Sequence, residues 1–309
     1  MAGPIRLGSR GSALAVTQAE TMRDRLEALG ETVEVVIIRT SGDERPGGRP
    51  APETEDKERF VKEIEEALLD GRIDLAVHSA KDVPAQIPAE LSLVGVPERA
   101  DPRDALCGAG GVDELAPGAV VGTASLRRRS QLRALRPDLD VREVRGNVDT
   151  RLRRLADGEY GALVLAAAGL RRLGRSEGEP IGVEQMTPSP GQGCLALEAR
   201  TDDERAAALA VALTDRGALV ALTAERALVA TLDASCHTPV GAFAREHEGR
   251  LLLDGFAGSV DGADWVRDTR DGDPADPAAL GVAVGERMLA AGAREILDAA
   301  EVADRETGG

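Results

Sequence analysis

The sequence predicts an α/β protein of two lobes with a small α+β domain at its C-terminal end. Three observations carry that expectation. From Ile5 to Leu173, apolar strand-like runs alternate with segments of helical period, the pattern of a mostly parallel sheet covered by helices. A late apolar run at 195–199 reads as a strand returning to the first lobe. After residue 217 the texture changes to a long helix followed by alternating strands. The expected domains are 1–99 completed by 195–216, then 100–194, then 217–309. At 309 residues, more than one core is the natural prior.

Residues 5–8 read as the first strand and 13–29 as a helix that stops at Gly30. A buried strand over 33–39 follows. Residues 55–70 carry Phe60, Val61, Ile64, Ala67 and Leu68 at helical spacing, and Gly71 closes them. Between these two elements, Ser41 to Pro52 is rich in Gly, Pro, Arg and acid and reads as a loop, with 41–59 a candidate lid. Residues 73–78 form the next strand. It delivers Lys81 and Asp82 to a turn that Pro84 stops.

Asp101-Pro102-Arg103-Asp104 marks the crossing into the second lobe. Strands are expected at 120–125, 139–144 and 161–166, each followed by a helix, at 126–135, 148–156 and 167–173. Thr187 to Gly193 is a turn-rich connector. In the last domain a helix over 218–232 leads to Ser235-Cys236-His237, and then come strands at 240–243, 250–258 and 264–269 and a helix at 278–291.

Charge narrows the partners. The net charge of −16 argues against nucleic acid or an acidic membrane surface. Residues 101–175 nevertheless hold 14 arginines against 10 Asp and Glu, so a cationic middle sits in an acidic chain. No apolar run reaches membrane-span length and no apolar leader opens the chain, so a cytoplasmic protein is expected. Cys107, Cys194 and Cys236 show no metal-ligand spacing, and no metal is expected. Nothing in the sequence demands more than a monomer.

Three arginine-bearing strand ends and one cysteine carry candidate chemistry. Ser125 with Arg127 and Arg128 places a hydroxyl cap and guanidiniums at a helix N-terminus, where free N–H groups and the helix dipole favour an anion. Arg145-Gly146-Asn147 with Arg151 repeats the design at the next strand end, and Arg10-Gly11-Ser12 makes a third. Ligands of open α/β sheets sit at such carboxyl ends, and a ligand with several carboxylates accounts for the set. The alternative is that these arginines are solvated faces. Cys236 lies in a loop of small residues rather than on an apolar stripe, and reads either as a reactive thiol beside His237 or as packing. All three lysines, Lys57, Lys62 and Lys81, fall in one short window, while the other 35 basic residues are arginine.

Nine segments in order resemble the porphobilinogen deaminase family. They are Arg6-Leu7-Gly8-Ser9-Arg10-Gly11-Ser12-Ala13-Leu14-Ala15, Phe60-Val61-Lys62-Glu63-Ile64-Glu65, His78-Ser79-Ala80-Lys81-Asp82-Val83-Pro84, Asp101-Pro102-Arg103-Asp104-Ala105 and Gly122-Thr123-Ala124-Ser125-Leu126-Arg127-Arg128. The others are Arg145-Gly146-Asn147-Val148-Asp149-Thr150-Arg151-Leu152, Leu165-Ala166-Ala167-Ala168-Gly169-Leu170-Arg171-Arg172-Leu173-Gly174, Pro190-Gly191-Gln192-Gly193 and Ser235-Cys236-His237-Thr238-Pro239-Val240-Gly241.

The resemblance implies two lobes like those of periplasmic binding proteins around a central cleft, and a transferase that joins four porphobilinogens into hydroxymethylbilane. It implies a dipyrromethane cofactor on Cys236 through a thioether, and Asp82 as the catalytic carboxylate. Lys81, Ser125, Arg127, Arg128, Arg145 and Arg151 would then bind cofactor carboxylates. Arg10, Ser12, Arg172, Gln192, Phe60 and Lys57 would serve substrate. One segment and one position depart from the family pattern: Thr54 to Arg59 replaces a glycine-rich run, and Ala124 replaces a frequent serine. The rival classes are a non-catalytic two-lobed anion-binding protein, which has no use for Cys236, and a cysteine hydrolase, which needs a base beside it.

Overall fold

The computed structural model describes residues 3–38, 53–234 and 238–307, and the side chains of 53–59 and 304–307 are not among them. The loop expected at Ser41–Pro52, the side chain of Lys57 and Cys236 itself therefore lie outside the described residues.

The chain begins with β1 (Ile5–Arg10), α1 (Ala13–Ala28), β2 (Val33–Ile38), α2 (Glu53–Leu69), β3 (Leu75–Ser79) and β4 (Leu91–Gly95). It continues through β5 (Asp104–Cys107), β6 (Val120–Gly122), α3 (Leu126–Leu135), β7 (Asp140–Arg142), α4 (Val148–Ala156), β8 (Ala162–Ala166), α5 (Ala167–Arg172) and β9 (Glu179–Pro180). Then come β10 (Leu195–Arg200), α6 (Glu204–Ala212) and α7 (Arg216–Leu232), followed by β11 (Val240–His247), β12 (Arg250–Gly258), β13 (Trp265–Gly272), α8 (Pro277–Ala290) and α9 (Ala293–Thr307).

Two compact units result. One is built from residues 1–100 and 194–219, the other from 101–193 and 220–309. In the first, the sheet order among the described residues is β2-β1-β3-β10-β4. β1, β2 and β3 run parallel, and β10 enters antiparallel to both β3 and β4. Alternation along β3 separates two cores. Leu75 and Val77 join Leu7, Met22, Leu26 and Leu197 on the α1 side, while Ala76 joins Ile64, Ala67, Leu68 and Ile73 beneath α2. The apolar stripe of α2 read from the sequence is thus the stripe that is buried.

The second unit holds a sheet of order β7-β6-β8-β5-β9, in which β7, β6 and β8 are parallel and β5 is antiparallel to β8. The same unit contains the antiparallel sheet β11-β12-β13, whose core, with Leu253, Val284 and Met288, lies under α7, α8 and α9. The connector binds both parts of this unit. Gln131 of α3 accepts from Thr187 N–H at 2.8 Å and donates to Thr187 O at 3.0 Å. On the other side, the buried Glu225 carboxylate accepts from Gly191 N–H at 2.6 Å and Ala244 N–H at 2.8 Å.

Several elements differ from expectation. β4, β5, β9, α6 and α9 have no counterpart in the sequence reading, β11 and β13 run longer than expected, and β6 and β7 are shorter than the expected 120–125 and 139–144. β5 is only four residues, Asp-Ala-Leu-Cys, and pairs with strands distant in sequence. Such a segment is set by its partners rather than by propensity. Among the described residues no single helix is long and apolar enough to cross a membrane.

Candidate active site

In the first unit the candidates gather at the carboxyl ends of two adjacent parallel strands. β1 ends at Arg10, and Ser12 caps α1 by accepting from Ala15 N–H at 3.3 Å. The Arg10 guanidinium lies over the Phe60 ring, 3.7 Å from its centroid. This cation–π contact with a buried aromatic from α2 limits where the guanidinium swings.

Next door, β3 ends in a single 3-10 turn, Ala80–Asp82, closed by a bond from Val83 N–H to Ala80 O at 3.3 Å. Val83 sits at φ −81°, ψ 125°, the extended geometry that a following proline requires. Ala80 N–H donates to Cys194 O at 3.1 Å, and Gln18 Nε2 of α1 donates to Ser79 Oγ at 3.0 Å. Lys81 and Asp82 are half-exposed on this anchored turn. Arg10, Ser12, Phe60, Lys81 and Asp82 therefore belong to one end of one sheet.

In the second unit the ends of β6, β7 and β8 share an edge in the same way. Ser125 caps α3, accepting from Arg128 N–H at 3.4 Å, and Asn147 caps α4, accepting from Thr150 N–H at 2.9 Å. Gly146 between them has φ +107°, a backbone conformation that glycine alone adopts readily. Arg151 folds back so that Nε donates to Gly146 O at 2.6 Å, and Arg145 Nε donates to Glu143 at 2.7 Å. Arg172 closes α5 and donates to Gly193 O at 2.8 Å.

Arg127 and Arg128 face inward. Both are buried against Asp104, which solvent does not reach. Arg127 donates to its two oxygens at 2.7 and 3.2 Å, and Arg128 Nε donates to Oδ1 at 2.9 Å. Gln192 Nε2 adds a fourth bond at 2.9 Å. Burial alone would push the Asp104 carboxyl up, but the two guanidiniums outweigh it and hold the group well below the usual carboxylate range. Asp104 is the site residue that sequence reasoning missed. In the sequence its motif reads as a crossing point, although an aspartate opening an apolar strand signals a buried partner.

Two cations against one anion leave this buried cluster one charge positive. Arg127 Nε is also buried without a hydrogen-bond partner among the described residues. Both observations fit a carboxylate-rich group held at this edge. Among the described residues no group of three or more His, Cys, Asp or Glu side chains is arranged to hold a metal ion.

Comparison with known proteins decides the family. A family model described as porphobilinogen deaminase, dipyromethane cofactor binding domain, matches residues 5–208, and one described as porphobilinogen deaminase, C-terminal domain, matches 219–290. The chain belongs to the porphobilinogen deaminase family. A porphobilinogen deaminase of Roseiflexus castenholzii is 48% identical over 303 residues, covering 96% of this chain and 99% of that protein. One from Deinococcus radiodurans is 44% identical, covering 96% and 98%.

Among solved structures, an ABC-transporter periplasmic substrate-binding protein of Coxiella burnetii aligns with a TM-score of 0.42 at 14% identity, covering 68% of this chain and 91% of that one. For this porphobilinogen deaminase family member, the two-lobed α/β class rests on its own sheets.

Proposed function

We infer that this chain is a hydroxymethylbilane synthase, a transferase of tetrapyrrole biosynthesis. It joins four porphobilinogens head to tail with loss of ammonia and hydrolyses the product free. The observation that carries the reading is the match of both family models in order along nearly the whole chain. Family membership sets aside the non-catalytic anion-binding alternative.

The residues divide the work as follows. Loss of ammonia from the aminomethyl group of porphobilinogen leaves a methylene-pyrrole cation. The Asp82 carboxylate is proposed to accept hydrogen bonds from pyrrole N–H groups, steady that cation and guide the proton lost after carbon–carbon bond formation. An opposite charge about 4 Å away, at an effective dielectric of ~20, interacts by roughly 4 kcal/mol. At about 1.4 kcal/mol per tenfold, that supplies on the order of 10³ in rate. The half-exposed, proline-stopped turn supports the assignment, because its backbone bonds to Cys194 and Ala80 restrict where the carboxylate travels.

A dipyrromethane, held by the Cys236 thiol through a thioether, supplies the primer on which the product is built. Lys81, Ser125, Arg145 and Arg151 would bind its acetate and propionate groups. Arg127 and Arg128 would do so from the positively charged cluster on Asp104. Arg10, Ser12, Arg172 and Gln192 would take the carboxylates of incoming substrate, with Phe60 holding Arg10 in place and Lys57 on the lid side. The chain is further read as a cytoplasmic monomer that binds neither nucleic acid nor membrane, in keeping with its net charge of −16.

The test is turnover of porphobilinogen by the purified protein, followed as ammonia release and product formation, with Asp82→Asn in parallel. The variant should keep its covalent cofactor and lose most turnover. Near-normal turnover removes Asp82 from the chemistry.

A further inference from the structure

Four residues before Asp82, on the strand that leads into its turn, His78 is buried against a carboxylate. Its Nε2 lies 2.9 Å from Glu198 Oε2 on β10, with side-chain exposures of 4% and 0%. His78 is in register with Ala196, and Glu198 lies two residues further along, so the pair spans a diagonal on the face covered by α2. From that side Glu65 of α2 interacts electrostatically with both members of the pair and with Lys62. Glu198 Oε1 is buried with no hydrogen-bond partner among the described residues.

Stability does not explain such a pair. Exchanging a buried polar pair for apolar residues of similar volume is often neutral or stabilising, because desolvation offsets the attraction. What a buried polar pair does supply is register. A slip of one residue would turn His78 toward the apolar α1 face and leave Glu198 buried alone.

Register needs fixing at this place. On its other edge, β10 shifts register against β4 between Leu197 and Glu198, so that ladder does not hold it continuously. On this edge the ladder continues upward from His78 through Ser79, opposite Leu195, to the bond from Ala80 N–H to Cys194 O. That bond is the first of the catalytic turn.

We propose that His78 and Glu198 are positioning residues for the transferase reaction, locking β3 to β10 so that the Ala80–Asp82 turn presents the Asp82 carboxylate at a fixed height. The proposal rests on the reading of Asp82 as the group that acts on substrate. Neither residue is assigned contact with substrate.

The experiment compares the double variant His78→Leu/Glu198→Leu with His78→Gln and with Asp82→Asn, measuring kcat, KM, Tm and intact mass. The double variant should keep its cofactor and a Tm within a few degrees of wild type. It should lose about ten- to a hundredfold in kcat, the scale of a misplacement on the order of 1 Å, with little change in KM. His78→Gln retains an N–H donor at the Nε2 position and should recover most of kcat.

Wild-type kcat in the double variant overturns the proposal. So does a double variant that is unfolded or has lost its cofactor, since that assigns the pair to stability. An equal loss in His78→Gln also overturns it, because the donor would then be irrelevant. If Asp82→Asn itself turns over normally, the underlying reading fails. If Asp82→Asn is inactive and the double variant is not, only the positioning role fails.

Discussion

Arg127 donates to both oxygens of Asp104, at 2.7 and 3.2 Å, with neither side chain open to solvent. The same guanidinium reaches Thr187 O at 2.6 Å, and Arg128 and Gln192 complete the ring around the carboxylate. One aspartate thus joins β5, α3 and the connector before Cys194. The arginines expected to serve the cofactor are also part of what holds the second unit together.

Replacing Asp104 by Asn leaves two buried guanidiniums without a counter-charge. Breaking a buried pair in this way costs about 3–5 kcal/mol, so chemical denaturation at neutral pH should show a loss of that size. The acid dependence has a definite sign. The folded-state pKa lies below the unfolded one, so the stabilisation is complete above the ordinary aspartate value of about 3.9. It fades as pH falls through the depressed folded value. Wild type should lose stability more steeply than Asp104→Asn on acidification below about pH 4.

Glu65 behaves in the opposite way. Burial, and then the charge of Glu198, push its carboxyl up, with His78 and Lys62 pulling down more weakly. A raised folded pKa means that stability falls as pH rises through it. Glu65→Gln removes the ionisation, so it should raise Tm at pH 8 and leave Tm near wild type at pH 4. Thermal unfolding at the two pH values checks this, and an equal shift at both would contradict it.

Cys107 should be chemically silent. Burial pushes its thiol up to about 11, with Glu177 adding to the shift. The thiolate is the reactive form, so native protein at pH 7.5 should leave Cys107 unlabelled by a maleimide and label it only after denaturation. Peptide mapping by mass spectrometry reads the result.

Much of the site was legible in the sequence because it is written locally. Ser12, Ser125 and Asn147 each precede a helix and each cap it, and arginine follows each strand end. The Lys81-Asp82 turn could be read from its strand and its proline. What was not legible is long-range. Asp104 meets arginines more than twenty positions on, and His78 meets Glu198 from another crossing of the chain. No local period encodes such pairings. α9 was legible too, since its buried Ala293, Leu297 and Ala300 fall at i, i+4 and i+7, but the expected helix stops at 291.

The central claim is that the chain builds its product on a primer attached to Cys236, and intact mass tests it most directly. Purified wild type should exceed its sequence mass by one dipyrromethane, and Cys236→Ser should have the sequence mass and no turnover. A wild-type protein that is fully active at its unmodified mass would contradict the account.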